Sequence, residues 1–193
     1  MPKALFTVLT EDGERSRSHG LPVDLIKAQS ESLQIPLVVC ESSWAGYEDN
    51  FLAVIRRFKE EGIECGIFGD IDLEAHLEWV ERVCSIEMIQ PYEPLWKEAR
   101  QDILKEFLDL GFEATVIATK QGVLDNSFLG RTLDPQVIAD MVQAGIDASG
   151  EEGEYHTVVT DGPIFSFPVC IEEKEKVFLD GYWFLDVSRG TGS

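Results

Sequence analysis

A run of glycines and carboxylates, Gly150-Glu151-Glu152-Gly153-Glu154-Tyr155-His156-Thr157, leads directly into an apolar segment of strand length. Glycines let a tight turn expose its backbone, and three carboxylates in one turn oppose a bare anion. The segment is therefore suited to a cation, to ammonia or to a ligand bridged by a metal ion. A solvated acidic loop ahead of a strand is the alternative interpretation of the same residues.

A second acidic segment, from Gly69 to His76, follows a predicted strand and enters a predicted helix. Ligands of open α/β sheets bind at the carboxyl ends of strands, so the position is favourable for a site. The alternation of Asp70, Asp72, Glu74 and His76 is compatible with metal ligation. The interpretation that we prefer is structural: Asp72 caps the helix, and Glu74 stabilises its first turn through the helix dipole. No metal site is assigned.

Two further loops carry arginines. Arg15 and Arg17 lie in a basic, hydroxyl-rich loop after the first predicted strand, where they can contact phosphate or remain solvated. Arg131 follows Gly130 in another loop, as a substrate contact or a surface residue. The sequence has no Ser-His-Asp order, H-E-x-x-H, Walker motif or Rossmann glycine fingerprint, and we assign no catalytic residue.

Apolar runs of strand length alternate with segments of helical period, which predicts βαβ units and a mainly parallel sheet. Asp134-Pro135 signals the start of a helix that stops at Gly145, and Asp180-Gly181 signals a two-residue hairpin. The predicted strands span residues 4–9, 37–40, 66–68, 114–118, 158–159, 164–169, 177–179 and 182–185. The predicted helices span residues 25–33, 51–58, 73–84, 98–110 and 135–144.

The composition bounds the class of protein. A chain of 193 residues with 44% hydrophobic content can bury one substantial core. Its formal net charge of −20 opposes nucleic-acid and membrane partners, because such a surface repels phosphates and anionic lipid. Four separated cysteines without a C-x-x-C pair indicate reduced core residues, and the short apolar stretch at the start predicts no signal peptide or spanning helix. We expect a cytoplasmic protein.

The order of several short motifs resembles the diphthine-ammonia ligase family, a branch of the ATP pyrophosphatases. The glycine-carboxylate run at residues 150–157 is the most specific motif, and the resemblance covers nearly the whole chain. The others are Arg15-Ser16 with His19-Gly20, Phe68-Gly69-Asp70-Ile71, Glu81-Arg82-Val83-Cys84, Pro94-Leu95-Trp96, Phe128-Leu129-Gly130-Arg131 and Asp161-Gly162-Pro163.

The resemblance implies an α/β fold of the Rossmann-like HUP type, with a nucleotide-binding-type core at 1–147 and a small β-rich extension at 148–193. It also implies that ATP, with Mg²⁺, adenylates the carboxylate of diphthine, a modified histidine, and that ammonia then displaces AMP. Diphthine carries a quaternary ammonium, which suits the acidic segment. The expected substrate contacts are Gly150, Glu151, Gly153, Glu154, Tyr155, Thr157 and Arg131. The expected nucleotide contacts are Leu9, His19, Gly69 and Asp70.

One motif of that family has no counterpart in this sequence. The family begins with a strand that leads into Ser-Gly-Gly-Lys-Asp-Ser and a helix, whose backbone N–H groups hold the pyrophosphate of ATP. We therefore expect this chain to be impaired in amidation, because the loop has been lost through truncation or divergence. A missing strand-loop-helix would leave a central strand edge unpaired, which a homodimer can cover. The alternative function is a non-catalytic small-molecule or nucleotide-binding protein, and a tRNA-modifying relative is opposed by the net charge.

Overall fold

The computed structural model describes residues 2–191, which form eight strands and five α-helices. The strands are β1 Leu5–Leu9, β2 Leu37–Glu41, β3 Cys65–Ile67, β4 Gln90–Tyr92, β5 Glu113–Lys120, β6 Tyr155–Asp161, β7 Ile171–Leu179 and β8 Tyr182–Arg189. The helices are α1 Val23–Leu33, α2 Tyr47–Glu60, α3 Glu74–Ile86, α4 Arg100–Asp109 and α5 Pro135–Gln143. A single turn of 3-10 helix, Asn126–Phe128, lies between β5 and α5.

The N-terminal half contains two pairs of parallel strands. Strand β1 pairs with β2, with Leu5 opposite Leu37, and β3 pairs with β4, with Cys65 opposite Gln90. Helices α2 and α3 cover both pairs through one apolar cluster that includes Val8 of β1. These helices present their buried residues at helical spacing, so one stripe of each faces the cluster.

The C-terminal half is built on a four-stranded antiparallel sheet in the order β6-β5-β8-β7. The interior of β5 is buried at six consecutive positions, because both faces of the sheet are covered there. Helices α1 and α5 contribute Leu25 and Met141, both fully buried, to the cluster at this sheet. Because α1 precedes β2 in the chain but packs with the C-terminal sheet, it ties the two halves together.

The predicted α/β class, with parallel strands, flanking helices and a β-rich C-terminal part, is confirmed, and the arrangement is consistent with a Rossmann-like fold. The side chain of Asp134 accepts a hydrogen bond from the backbone N–H of Val137 at 2.7 Å, so the predicted cap of α5 is also confirmed. The hairpin at Asp180-Gly181 is present, with positive φ at both residues. The division at 147/148 stays a prediction.

The predicted strand at 164–169 is wrong. Pro163 precedes this segment and Pro168 lies within it, and neither can donate a ladder hydrogen bond. Its amides bond elsewhere: Ser166 donates to the backbone carbonyl of Ser32 at 2.9 Å, and Phe167 donates to the Ser32 hydroxyl at 3.1 Å. The segment is an irregular loop held on the end of α1.

The cysteine prediction is confirmed in part. All four cysteines are free, and Cys84 is fully buried in the cluster between α2 and α3. Cys65 and Cys170 are exposed, so their assignment to the core is wrong. Cys65 shares a strand face with Ile67, which is also exposed, and Cys170 lies in the loop before β7. Within residues 2–191, no helix has the length and apolarity needed to cross a membrane.

Candidate functional site

An open cavity of about 1040 Å³ lies between the two halves of the molecule. Its N-terminal wall is formed by the segments that follow β1 and β3 and by residues of α2 and α3. Its C-terminal wall is formed by α4, by residues 149–153 and by β6. The cavity therefore lies at the carboxyl ends of parallel strands, where the sequence placed a ligand site. Aromatic side chains from both halves line it, among them Tyr47, Phe51, Phe68, Trp79, Phe107 and Tyr155.

Residues 147–154, which we call the acidic turn, are shaped by glycine. Gly150 has φ +74°, and a Cβ at this position would lie 2.8 Å from the ring of Tyr155. The Tyr155 hydroxyl donates a hydrogen bond to the Ala148 carbonyl at 2.5 Å, which fixes the ring under the turn. Burial raises the pKa of Tyr155, so the hydroxyl keeps its proton. Glycine at position 150 thus permits close packing of the turn on a buried tyrosine.

The carboxylates of the acidic turn face different ways. Glu151 and Glu152 line the cavity. Burial raises the pKa of Glu151, and the neighbouring Asp72 and Asp70 add to the effect while Arg100 opposes it. Glu154 is buried, and its carboxylate accepts a hydrogen bond from the backbone N–H of Glu152 at 3.0 Å. Glu151 is therefore placed to meet a ligand, whereas Glu154 stabilises the turn from within.

The acidic segment after β3 adjoins this turn in the lining of the cavity. The Asp70 carboxylate lies 3.0 Å from His76 Nδ1, and both residues line the cavity. Asp72 receives two hydrogen bonds from Arg100, at 2.7 and 2.6 Å. The prediction that Asp72 caps α3 is wrong, because Leu73 occupies the cap position and no side-chain cap bond is made. Glu74 does stand in the first turn of α3, as predicted.

Two histidines lie in contact on the cavity wall. The ring of His19 meets that of His156 edge-on, with centroids 5.1 Å apart, and His156 stacks on Tyr182 at 5.9 Å. Burial lowers the pKa of His19. Burial, with a smaller contribution from His19, lowers the pKa of His156 to about 4. Both imidazoles are therefore uncharged at neutral pH and offer the cavity neutral donors and acceptors.

The structure brings most of the predicted site residues together. The predicted residues that line the cavity are His19, Asp70, Gly150, Glu151, Gly153, Tyr155 and Thr157. Leu9, Gly69, Glu154 and Arg131 lie outside its lining. Arg131 donates to Asp140 at 2.7 Å and lies over the Phe128 ring, with 4.9 Å to the centroid. The roles of all these residues stay predictions.

The loop arginines that could have met phosphate are engaged elsewhere. Arg15 donates to Asp186 at 2.8 Å and to the Gly20 carbonyl at 3.0 Å. Arg17 donates to the Ser42 carbonyl and lies over the Trp44 ring. Among the described residues, Arg100 is the one arginine or lysine in the lining of the large cavity. The part of the chain that the structure describes holds no group of three or more His, Cys, Asp or Glu residues that could bind a metal.

The cavity residues that the sequence analysis did not assign to the site include Trp79, Arg100 and His156. Trp79 lies within a helical apolar pattern that is typical of ordinary core, so no signal distinguished it. Arg100 did carry a signal, because it is the first residue of α4, where the helix dipole disfavours a cation. His156 stood within the glycine-carboxylate run and was passed over in favour of its neighbours.

An α/β domain with a cavity at the carboxyl ends of its parallel strands is consistent with the Rossmann-like class of folds, in which ligands bind at that position. Comparison of the sequence with known families is more specific. The model of the diphthamide synthase N-terminal domain matches residues 2–91, and that of the diphthamide synthase C-terminal domain matches residues 99–192. The chain belongs to the diphthine–ammonia ligase (diphthamide synthase) family.

Curated relatives carry the same family name. The human diphthine–ammonia ligase is 33% identical over 102 residues, which cover 51% of this chain and 38% of that protein. The rat protein of this name is 32% identical over the same coverage. The zebrafish protein is 26% identical over 163 residues, which cover 82% of this chain and 64% of that protein. The matches thus span less than two thirds of the length of these relatives.

Proposed function

We propose that this chain is a diphthine–ammonia ligase-like protein whose cavity binds the acceptor of an ATP-dependent amidation. The acceptor is a carboxylate that belongs to a modified histidine or to another small molecule, and ammonia is the second substrate. One observation carries the proposal. The acidic turn and the segment after β3, which are far apart in sequence, lie side by side in the lining of one cavity in a chain that belongs to this family.

The reaction proposed for the complete site has two steps. The acceptor carboxylate attacks the α-phosphorus of ATP, so an acyl adenylate forms and pyrophosphate leaves. Ammonia then attacks the acyl carbon, AMP leaves, and the nitrogen loses one proton as the amide forms. Mg²⁺ enters bound to the phosphates of ATP, which is its usual mode of binding in nucleotide sites.

The residues of this chain contribute binding and exclusion of water. A cationic acceptor, such as one with a quaternary ammonium, is favoured by Glu151 and by the aromatic wall around Trp79. The neutral pair His19 and His156 does not repel such a cation, and it can accept a hydrogen bond from ammonia. Gly150 and Gly153 allow the ligand to approach the backbone of the acidic turn.

The described residues fit only part of ATP. The aromatic and apolar wall suits the adenine ring, but the triphosphate needs several cationic or N–H donors. Arg100 is the one lysine or arginine in the cavity lining of the described chain, and Asp72 and Asp147 already occupy it. We therefore propose that amidation requires a phosphate loop of the Ser-Gly-Gly-Lys-Asp-Ser type, a motif that these 193 residues do not contain.

The composition of the cavity lining also favours a second candidate function. A cavity whose described lining has aromatic walls, carboxylates and no free cation can serve a protein that binds a small cationic molecule without catalysis. The two candidates make different demands on the nucleotide, because the ligase must release AMP and pyrophosphate and the binding protein must not.

A paired assay separates these candidates. The 193-residue chain is incubated with Mg-ATP, ammonium and a carboxylate acceptor, both alone and as a fusion behind a phosphate-loop segment from a relative. A cooperative unfolding transition shows that each protein is folded. If the chain is a ligase, the fused protein should release AMP and pyrophosphate only when the acceptor is present, and the unfused chain should release neither. A folded fusion that binds the acceptor but releases no AMP would favour the non-catalytic function. A cytoplasmic location and a homodimer stay predictions.

A further inference from the structure

The guanidinium of Arg100 connects the two acidic segments of the cavity. Its Nε and one terminal nitrogen donate to the two oxygens of Asp72, at 2.7 and 2.6 Å. Its other terminal nitrogen donates to Asp147 in the acidic turn. This fork geometry is the strong, directional form of an arginine–carboxylate contact. One side chain on α4 thus joins the segment after β3 to the start of the acidic turn.

The contact continues into the backbone of the acidic turn. Asp147 accepts hydrogen bonds from the Ser149 amide at 3.1 Å and from the Ser149 hydroxyl at 2.6 Å. The amide of Gly150 donates to the Asp147 carbonyl at 3.1 Å. Burial alone would raise the pKa of Asp147, but the bonds from Ser149 and Arg100 outweigh it and hold that pKa below its usual range. A displacement of Asp147 therefore moves Ser149 and Gly150, which immediately precede Glu151.

The charges around Arg100 make the contact more than a packing interaction. Four carboxylates meet at this side of the cavity, those of Asp70, Asp72, Asp147 and Glu151. His76 faces Asp70, and Arg100 is the permanent cation of the group. The Arg100 side chain is 21% exposed, so solvent screens these charges only in part. Without its cation, the acidic turn and the segment after β3 would repel each other.

We propose that Arg100 is a positioning residue, which holds the acidic turn against the segment after β3 and so fixes Glu151 at the rim of the cavity. The proposal concerns the geometry of the cavity and does not depend on the reaction that takes place there. The fork matters as well as the charge, because lysine offers a point charge and cannot bridge both oxygens of Asp72 together with Asp147.

Amide hydrogen exchange of the full chain tests this role. The reporters are the amides of Ser149, Gly150, Glu152 and Gly153, each of which donates a hydrogen bond within the acidic turn. The amide of Val137, bonded to the cap of α5, is the internal reference. In Arg100→Gln we expect the reporters to exchange about tenfold faster, with Val137 unchanged, since local opening alone becomes easier. Arg100→Lys should recover only part of the protection.

The dependence on salt distinguishes positioning by charge from simple packing. In the native protein, added salt weakens an attraction and should speed exchange of the reporters slightly. In Arg100→Gln, the same salt screens a repulsion and should slow their exchange. Arg56→Gln is the matched control, because Arg56 makes a similar fork to Glu87, at 3.2 and 2.7 Å, outside the cavity lining.

If Arg100→Gln unfolds the protein, Asp72→Asn provides the test, because it releases the same tether and leaves the arginine in place. Reporter amides that exchange at the native rate in a folded Arg100→Gln, or in Asp72→Asn where Arg100→Gln does not fold, would overturn the proposal. So would a salt dependence of the same sign in Arg100→Gln and the native protein, or an equal effect from Arg56→Gln.

Discussion

Substitution of Gly150 by alanine tests the packing that shapes the acidic turn. Two costs add at this position. The positive φ of +74° costs an L-residue about 1 kcal/mol. The new Cβ would also lie 2.8 Å from Cε1 and 3.1 Å from Cζ of Tyr155. Tyr155 is 5% exposed and hydrogen-bonded through its hydroxyl, so its ring cannot swing away freely, and overpacking of this kind costs about 1–3 kcal/mol.

The expected loss for Gly150→Ala is therefore about 2–4 kcal/mol of unfolding free energy, measured by urea denaturation. Gly145→Ala is the matched control, because Gly145 has φ +82° and a Cβ added there would meet no described atom within 4 Å. It should lose only the backbone cost of about 1 kcal/mol. Alanine stiffens the unfolded chain equally in both variants, so that effect cancels in the difference. Losses that agree within about 0.5 kcal/mol would refute the close contact with Tyr155.

Three further predictions follow from single side chains. Because the pKa of His156 is about 4, below the ordinary 6.5, the folded protein binds fewer protons than the unfolded chain between these values. The free energy of unfolding should therefore fall by up to about 3 kcal/mol as the pH drops from 6.5 to 4. His156→Gln should remove this part of the pH dependence. An NMR titration midpoint of His156 near 6.5 would contradict the burial of its ring. Tyr155→Phe leaves the Ala148 carbonyl unpaired and should cost about 1–2 kcal/mol in a denaturant titration, whereas no loss would mean that water replaces the hydroxyl. Asp134→Ala removes the cap bond to Val137 and should cost about 1 kcal/mol, with loss of the helical signal confined to α5.

Local signals predicted local structure well. The cap at Asp134, the stop at Gly145 and the hairpin at Asp180-Gly181 depend on residues close together in the chain, and the structure contains all three. The strand predicted at 164–169 failed for the same kind of reason, because its apolar spacing was weighed without Pro163, which precedes it, and Pro168, which lies within it. Periodicity shows which side chains are apolar, but the backbone donors decide whether a segment can join a sheet.

Long-range pairing could not be predicted in this way. Strand β5 was expected to continue the parallel pattern, yet it pairs antiparallel with β6 and with β8, which begins more than 60 residues later in the chain. Apolar runs buried on both faces are typical of parallel strands, and β5 has that pattern because α-helices and the C-terminal loops cover its sheet. Burial on two faces therefore indicates a central strand and leaves its direction open.

In the cavity, too, residue types predicted which segments take part, whereas the contacts between those segments appear only in the fold. The sequence identified both acidic segments, since glycines and carboxylates next to strands are conspicuous. It assigned Asp72 to a helix cap, because a carboxylate before a helix usually serves that role. In the fold, Asp72 instead meets Arg100, so a cation that is locally unfavourable at the start of α4 gains a favourable contact. Residues that break a local rule in this way are those whose partners lie far away in sequence, and here they lie at the rim of the cavity.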